Sequence, residues 1–223
     1  MQPAAIADIA GLHRASDLAE RAGQRYLPFA SALIPLMPAG GLRRGSVVNL
    51  TSSSPGSTSL MFAMLAEASR AGSWCAIAGL PSVGFVAAEE AGLVLERVAV
   101  VPDLGRDPWN VLAALVDGFD IVVVVTAERV APTVAQQMAA RARKSGAVIV
   151  PYGDAWEGAE TTLGIVDAQW FGIGEGAGRR VIVEGRRRGV HDAGRRMQMW
   201  LPQPDRHWMP AEVDSRPQLR AIG

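Results

Sequence analysis

The chain has 223 residues, 49% of them apolar, and its 22 basic side chains are matched by 22 acidic ones for a formal charge of zero. That length and balance suit one sizeable domain with a large core and exclude the compositions of collagen, coiled coils and disordered chains. No run approaches the roughly 20 apolar residues that cross a bilayer, and no basic segment leads into an apolar stretch with a cleavage site, so a cytoplasmic protein without a membrane partner is expected.

Residues 1–30 set Ile6, Ile9, Leu12, Leu18 and Ala22 among charged side chains, which predicts an N-terminal helical segment weakened near Gly11. Pro28, Pro35 and Pro38, with Gly40, Gly41 and Gly45, mark an irregular connection into a core expected over residues 31–201. Ser46 to Leu50 reads as a buried strand. A Ser/Gly loop follows, and Leu60, Met61, Met64, Leu65 and Ala68 share one face of a helix ending near Gly72. Trp74 to Ala78 is the next strand; its Cys75, the one cysteine of the chain, reads as a small buried hydrophobe and excludes an internal disulfide. Residues 83–91 read as helix, Arg97 to Val101 as strand, and Pro108 to Val116 as a helix with its proline in the first turn. Asp103, Asp107 and Asp117 read as surface or capping residues.

Ile121 to Val125 is an unbroken β-branched run, the composition of a central strand covered on both faces. Val130, Val134, Met138 and Ala142 then predict an amphipathic helix, and Ala147 to Val150 a further strand. This alternation points to right-handed crossovers and an α/β fold with a mostly parallel central sheet. Beyond Pro151 come three short strand segments separated by glycines: Thr162 to Val166, Val181 to Glu184, and Met197 to Leu201. About 50 residues bury too little to stand alone, so these predict an antiparallel C-terminal extension of the same sheet. Residues 202–223 read as a Pro-rich tail.

Strand, loop and helix over residues 46–65 form the context in which a phosphate-binding loop occurs. Set against the pattern G-x-x-x-x-G-K followed by Ser or Thr, Thr51 holds the first glycine position. Ser52, Ser53, Ser54 and Pro55 fill the variable positions, Gly56 holds the second glycine, Ser57 the lysine and Thr58 the hydroxyl. Ser57 lacks the point charge that the lysine sets against the β- and γ-phosphates, and Pro55 removes a backbone N–H from the cradle. Thr51 reaches a positive φ only at a cost of about 1–2 kcal/mol. The only lysine is Lys144, since 21 of the 22 basic residues are arginine. The helix that follows leaves a weak anion site at Gly56 to Ser59.

A phosphate-loop ATPase also holds magnesium through an acid at the end of a buried strand, and here that strand ends Val124-Val125-Thr126. The strand before it continues Ala78-Gly79-Leu80-Pro81, again without a carboxylate. These omissions predict a chain with no catalytic residue and no cofactor. His13, His191 and His207 lack zinc-ligand spacing, so no metal site is expected, and Ser52 to Ser54 lie in no nucleophile elbow.

Three segments carry a family resemblance: "AGGLRRGSVVNL" at 39–50, the loop through Leu60, and "GFDIVVVVTAERVAP" at 118–132. Over roughly Leu33 to Arg188 the chain resembles the RecA family, and more closely the ImuA-type RecA homologues, actinobacterial ImuA-prime branch, of bacterial DNA-damage mutagenesis cassettes. The resemblance implies a RecA-like P-loop core with degenerate Walker motifs, in which Ser57 replaces the lysine, Val125 the aspartate, and Leu80 or Pro81 the catalytic glutamate. It further implies an accessory role in damage-induced error-prone translesion synthesis. The implied partner is an ImuB-like Y-family polymerase homologue and, through it, a DnaE-type polymerase.

Arg179, Arg180, Arg186, Arg187, Arg188, Arg195 and Arg196 fall within 18 residues, opposed only by Glu184 and Asp192. Their guanidinium forks suit phosphate, and Trp200 and Trp208 are placed to stack on bases, so these residues are candidate contacts to single-stranded DNA or to a partner protein. The plain alternative is a solvated strand face. Two other functions fit the same core: a SulA-like cell-division inhibitor binding FtsZ, and a residual nucleotide enzyme in which Arg43 or Arg44 replaces the lysine.

Overall fold

The computed structural model describes residues 25–37, 40–126, 129–153, 156–171, 178–189 and 194–201. Residues 1–24 of the expected N-terminal helical segment and the Pro-rich tail with Trp208 lie outside these residues. The chain opens with β1 (Tyr26–Leu27), a 3-10 segment (Ser31–Leu36) and β2 (Leu42–Arg43), and β1 pairs antiparallel with β2. Leu27, Phe29 and Ala30 are buried, so the chain already belongs to the core before residue 31.

Then follow β3 (Val48–Leu50), α1 (Ser57–Arg70), β4 (Cys75–Ala78), α2 (Phe85–Glu90), β5 (Val98–Val101), α3 (Pro108–Gly118), β6 (Ile121–Val124), α4 (Pro132–Ser145) and β7 (Val148–Pro151). The chain closes with β8 (Thr161–Phe171), β9 (Gly178–Arg187) and β10 (Arg195–Leu201). β5-β4-β6-β7 form a parallel sheet, and β3-β8-β9-β10 form a second in which β3 and β8 are parallel while the last three strands alternate. Parallel bridges from Val47 to Ile149 and from Leu50 to Tyr152 set β3 beside β7, so the two sheets run on from one another. This is an α/β architecture, mostly parallel at its centre, with an antiparallel extension at its C-terminal end.

Side-chain alternation divides the core into two layers. Val48, Leu50, Cys75, Ile77, Ile121 and Val123 face α1 and the 3-10 segment, together with Leu163, Ile165, Val181 and Val183. Ala76, Ala78, Val122, Val124, Ile149 and Val47 face α3 and α4 on the other side. The parallel half is therefore covered on both faces, whereas α3 and α4 stop short of the extension. Helix ends follow their local chemistry. Asp107 accepts a 3.4 Å hydrogen bond from the Asn110 N–H ahead of Pro108, and Gly146 closes α4 at φ 79°.

Two expectations from the sequence change in length. The strands expected at 162–166 and 181–184 pair over Thr161–Phe171 and Gly178–Arg187, with an irregularity between Ile165 and Asp167. Pairing continues past the apolar stretch because a sheet edge is satisfied by backbone, and Asp167, Gln169 and Arg180 stand on a face that no core demands.

Cys75 has no exposed surface, and burial, with the negative charge of Asp120 added, pushes its thiol up to about 12. Native protein at pH 8 is expected to react with a thiol reagent roughly a thousandfold more slowly than the urea-unfolded chain, whose thiol returns to a pKa near 8.5. Comparable rates in a timed absorbance assay would contradict this burial.

Candidate functional site

The loop Thr51–Gly56 leaves the carboxyl end of β3, where β7 and β8 flank it, and enters α1. Its backbone is fixed at both ends: Thr51 N–H donates to Leu163 O at 3.0 Å, and Leu60 N–H donates to Gly56 O at 2.9 Å. Gly56 stands at φ 98°, the left-handed conformation that glycine adopts without strain. The hydroxyls are used within the protein. Ser54 Oγ donates to Ile165 O at 2.6 Å, and Ser57 Oγ turns back onto Ser54 O at 2.7 Å. Ser57, the residue in the lysine position, is 2% exposed. Thr58 Oγ1 shares a 3.0 Å hydrogen bond with the Tyr152 hydroxyl, while Ser52, Ser53 and Pro55 are exposed.

Arg179 reaches this loop. A Cβ built at Gly56 would lie 2.9 Å from its Nη1, and its guanidinium stacks 4.0 Å above the Trp170 ring. Burial draws its pKa below the ordinary arginine value, and its Nε is buried without a hydrogen-bond partner among the described residues. Arg43 and Arg44, which sequence reasoning offers as substitutes for the lysine, stand elsewhere. They precede β3 at the opposite end of the sheet, where Arg43 pairs with Glu160 at 2.6 Å and Arg44 with Asp120 at 2.8 Å. The reason is topological: residues before a strand and residues after it lie at opposite ends of the sheet.

The strand ends beside the loop are closed by backbone. Val125 N–H donates to Ala78 O at 2.9 Å and Gly79 N–H to Val101 O at 2.8 Å. Gly79, at φ 76°, leaves room for the Val125 carbonyl, whose oxygen would lie 2.3 Å from a Cβ at that position.

The seven arginines do not form one patch. Arg179 turns to the loop, and Arg195 donates to Pro35 O at 3.2 Å on the α1 side. Arg187 lines a hollow with Met37, Arg43 and Thr161, and Arg188 reaches Gly158 O at 3.3 Å. Arg180, Arg186 and Arg196 lie on the opposite face, which no helix among the described residues covers. Arg180 donates to Gln169 Oε1 at 2.7 Å, opposite Trp200 in the β9–β10 register.

Arg196 and Arg186 each direct Nε onto one oxygen of Glu184, the first at 2.8 Å. The Glu184 side chain is 5% exposed, while those of Arg186 and Arg196 are 65% and 62% exposed. The hydrogen bond from Arg196, opposed by burial and joined by that from Arg186, holds the Glu184 carboxyl below the usual range. Neighbouring Asn49 is buried, and its Oδ1 has no partner among the described residues.

Sequence reasoning missed Tyr152, Trp170 and the organising role of Glu184. Only Glu184 left a signal, as one of two acids inside an arginine run. Among the described residues, no group of three or more His, Cys, Asp or Glu side chains is arranged to hold a metal ion, and no helix is long and apolar enough to cross a membrane.

A relative from Mycobacterium tuberculosis (strain ATCC 25618 / H37Rv), the uncharacterized protein Rv3395c, is 40% identical over 131 residues, covering 57% of this chain and 62% of that protein. The chain thus spans less than two thirds of that relative's length. A family profile described as the MT3502 N-terminal domain matches residues 35–158, which carry the loop, α1 and the whole parallel half but end before β8. Since that match spans more than half of the 223 residues, the chain belongs to the MT3502 N-terminal domain family.

Proposed function

We propose that this protein is a non-catalytic RecA-like accessory factor of damage-induced error-prone translesion DNA synthesis, docking an ImuB-like polymerase homologue that in turn engages a DnaE-type polymerase. The observation that carries the reading is the loop after β3. It joins the carboxyl end of a parallel strand to a helix, the setting in which phosphate-binding loops occur, and two of its hydroxyls turn onto carbonyls of the protein. Ser57 bonds to Ser54 O instead of offering a cation, and Arg179 lies across Gly56. A parallel core with an antiparallel extension fits the same reading.

With the Ser54 and Ser57 hydroxyls turned onto carbonyls of the protein and no lysine in the loop, the loop offers a triphosphate no cation of its own. Calorimetry with Mg-ATP is expected to give no heat of binding, and a phosphate-release assay no turnover. Mixed with a purified ImuB-like protein, the chain is expected to co-elute in gel filtration. Turnover of ATP, or separate elution at tens of micromolar, would sink the proposal, and stoichiometric inhibition of FtsZ polymerisation would replace it with the cell-division reading.

A further inference from the structure

A groove runs between α4 and the irregular stretch at residues 156–158 that leads toward β8. Its first hollow, of about 240 Å³, is lined by Val47, Ala135, Ala139 and Trp156, with the exposed Arg143 and Arg188 beside them. A second, of about 350 Å³, shares Trp156, Gly158 and Arg188 with the first, so the two form one track from α4 to β8. The walls are fixed by backbone. Glu160 N–H donates to Val47 O and Arg188 N–H to Glu160 O, each at 3.0 Å, and Arg188 Nη1 donates to Gly158 O at 3.3 Å. On the other side, a Cβ built at Gly45 would lie 3.0 Å from Arg143 Cα, so the glycine lets the end of α4 press against the turn before β3.

The charges along this groove are unbalanced. Glu157 pairs with Arg129 at 3.3 Å and Glu160 with Arg43 at 2.6 Å. Arg143 and Arg188 have no carboxylate partner among the described residues. Two guanidinium forks beside an apolar floor call for carboxylates on either side of an apolar group. The first hollow is smaller than the roughly 300–1,000 Å³ of ordinary small-molecule sites and suits one or two side chains. Nucleic acid fits less well, because Trp156 is 7% exposed and packs edge-on with Trp109, which leaves a base no open ring to stack on. An anchor side chain in a pocket with charges around it is the pattern of a protein interface.

We infer that this groove is the surface on which the polymerase homologue docks, through a segment whose bulky apolar side chain is flanked by Asp or Glu. The apolar side chain enters the hollow over Val47 and Ala139, and the carboxylates meet Arg143 and Arg188. The inference rests on the adaptor reading and adds to it a surface and the chemistry of the segment that fills it.

The test is fluorescence anisotropy of a labelled ImuB-like protein titrated with the full chain. The natural chain is expected to bind, and Arg143→Glu/Arg188→Glu should weaken binding at least 30-fold. Ala139→Trp, which fills the hollow without changing the charge, should weaken it at least 10-fold. Arg97→Glu/Arg106→Glu makes an equal charge change on either side of β5, at the far edge of the parallel sheet, and should change affinity less than 3-fold. If the reversed groove pair proves unfolded by circular dichroism, Arg143→Gln/Arg188→Gln provides the same reading with a loss of at least 5-fold.

No binding by the natural chain at tens of micromolar would remove the adaptor reading and this inference with it. Binding that survives both the charge reversal and the filled hollow within 3-fold would overturn the inference alone and leave the adaptor standing. Equal losses from the groove pair and the β5 pair would reduce the effect to overall charge and overturn it as well. So would self-association of the natural chain that the groove pair abolishes, which would give the groove to a second copy. Displacement of the labelled protein by a 15-nucleotide oligo-dT as effectively as by its own unlabelled form would give the groove to nucleic acid instead.

Discussion

Replacing Gly79 by alanine is expected to destabilise the protein by about 2–5 kcal/mol, a large share of what a domain of this size has to lose. Two causes add. The φ of 76° costs an L-residue about 1–2 kcal/mol, and an added methyl in a closed space costs about 1–3 kcal/mol. Here the new Cβ would stand 2.3 Å from the carbonyl oxygen of Val125. That carbonyl has little freedom to retreat, since the same residue is tied through its N–H to Ala78 O. Gly105 provides the control: its φ is 68°, and nothing lies within 4 Å of a Cβ built there, so Gly105→Ala should show the conformational cost alone. Urea unfolding of the two variants separates the effects, and a Gly79 variant no weaker than the Gly105 variant would refute the account of the closed strand ends.

Phe62→Ala is expected to cost about 3–5 kcal/mol, the range for emptying a fully enclosed aromatic site. Phe62 is 1% exposed, and α1 buries Ser57, Leu60 through Ala66, Ala68 and Ser69. A helix buried on so much of its circumference has no solvent side toward which its neighbours can relax, and so the cavity persists. Phe85, at the start of α2 and 52% exposed, should tolerate alanine within about 0.5 kcal/mol. Similar unfolding midpoints for the two variants would show that α1 is not the centre of the core.

The sequence made the middle of the fold legible because its signals there are local. Ile121 to Val124 has no polar alternative to a buried strand, and the four-residue recurrence through Val134, Met138 and Ala142 leaves no other period. Pro108 behind Asp107 marks a helix start by the chemistry of two adjacent residues. The candidate site was read only in part, because its geometry depends on residues far apart in the chain. That Ser57 lacks a charge is plain from its identity. That Arg179 comes to lie across Gly56 depends on a hairpin, and on an irregularity at Val166 that moves the later residues of β8 to the other face. The arginine run likewise reads as one cluster in one dimension. Strand alternation divides it, and only the register of β9 against β10 shows Glu184 enclosed between Arg186 and Arg196.

The position of β3 bears on how the protein is made. It emerges early from the ribosome, but its neighbours are the late strands β7 and β8, and its register is not complete until Thr161 to Leu163 have been added. Throughout that interval α1 is a greasy cylinder with only part of its seat in place. Pairings this distant along a chain form slowly and leave sticky intermediates behind. A newborn copy of this protein should therefore depend on chaperones more heavily than its modest size would lead one to expect.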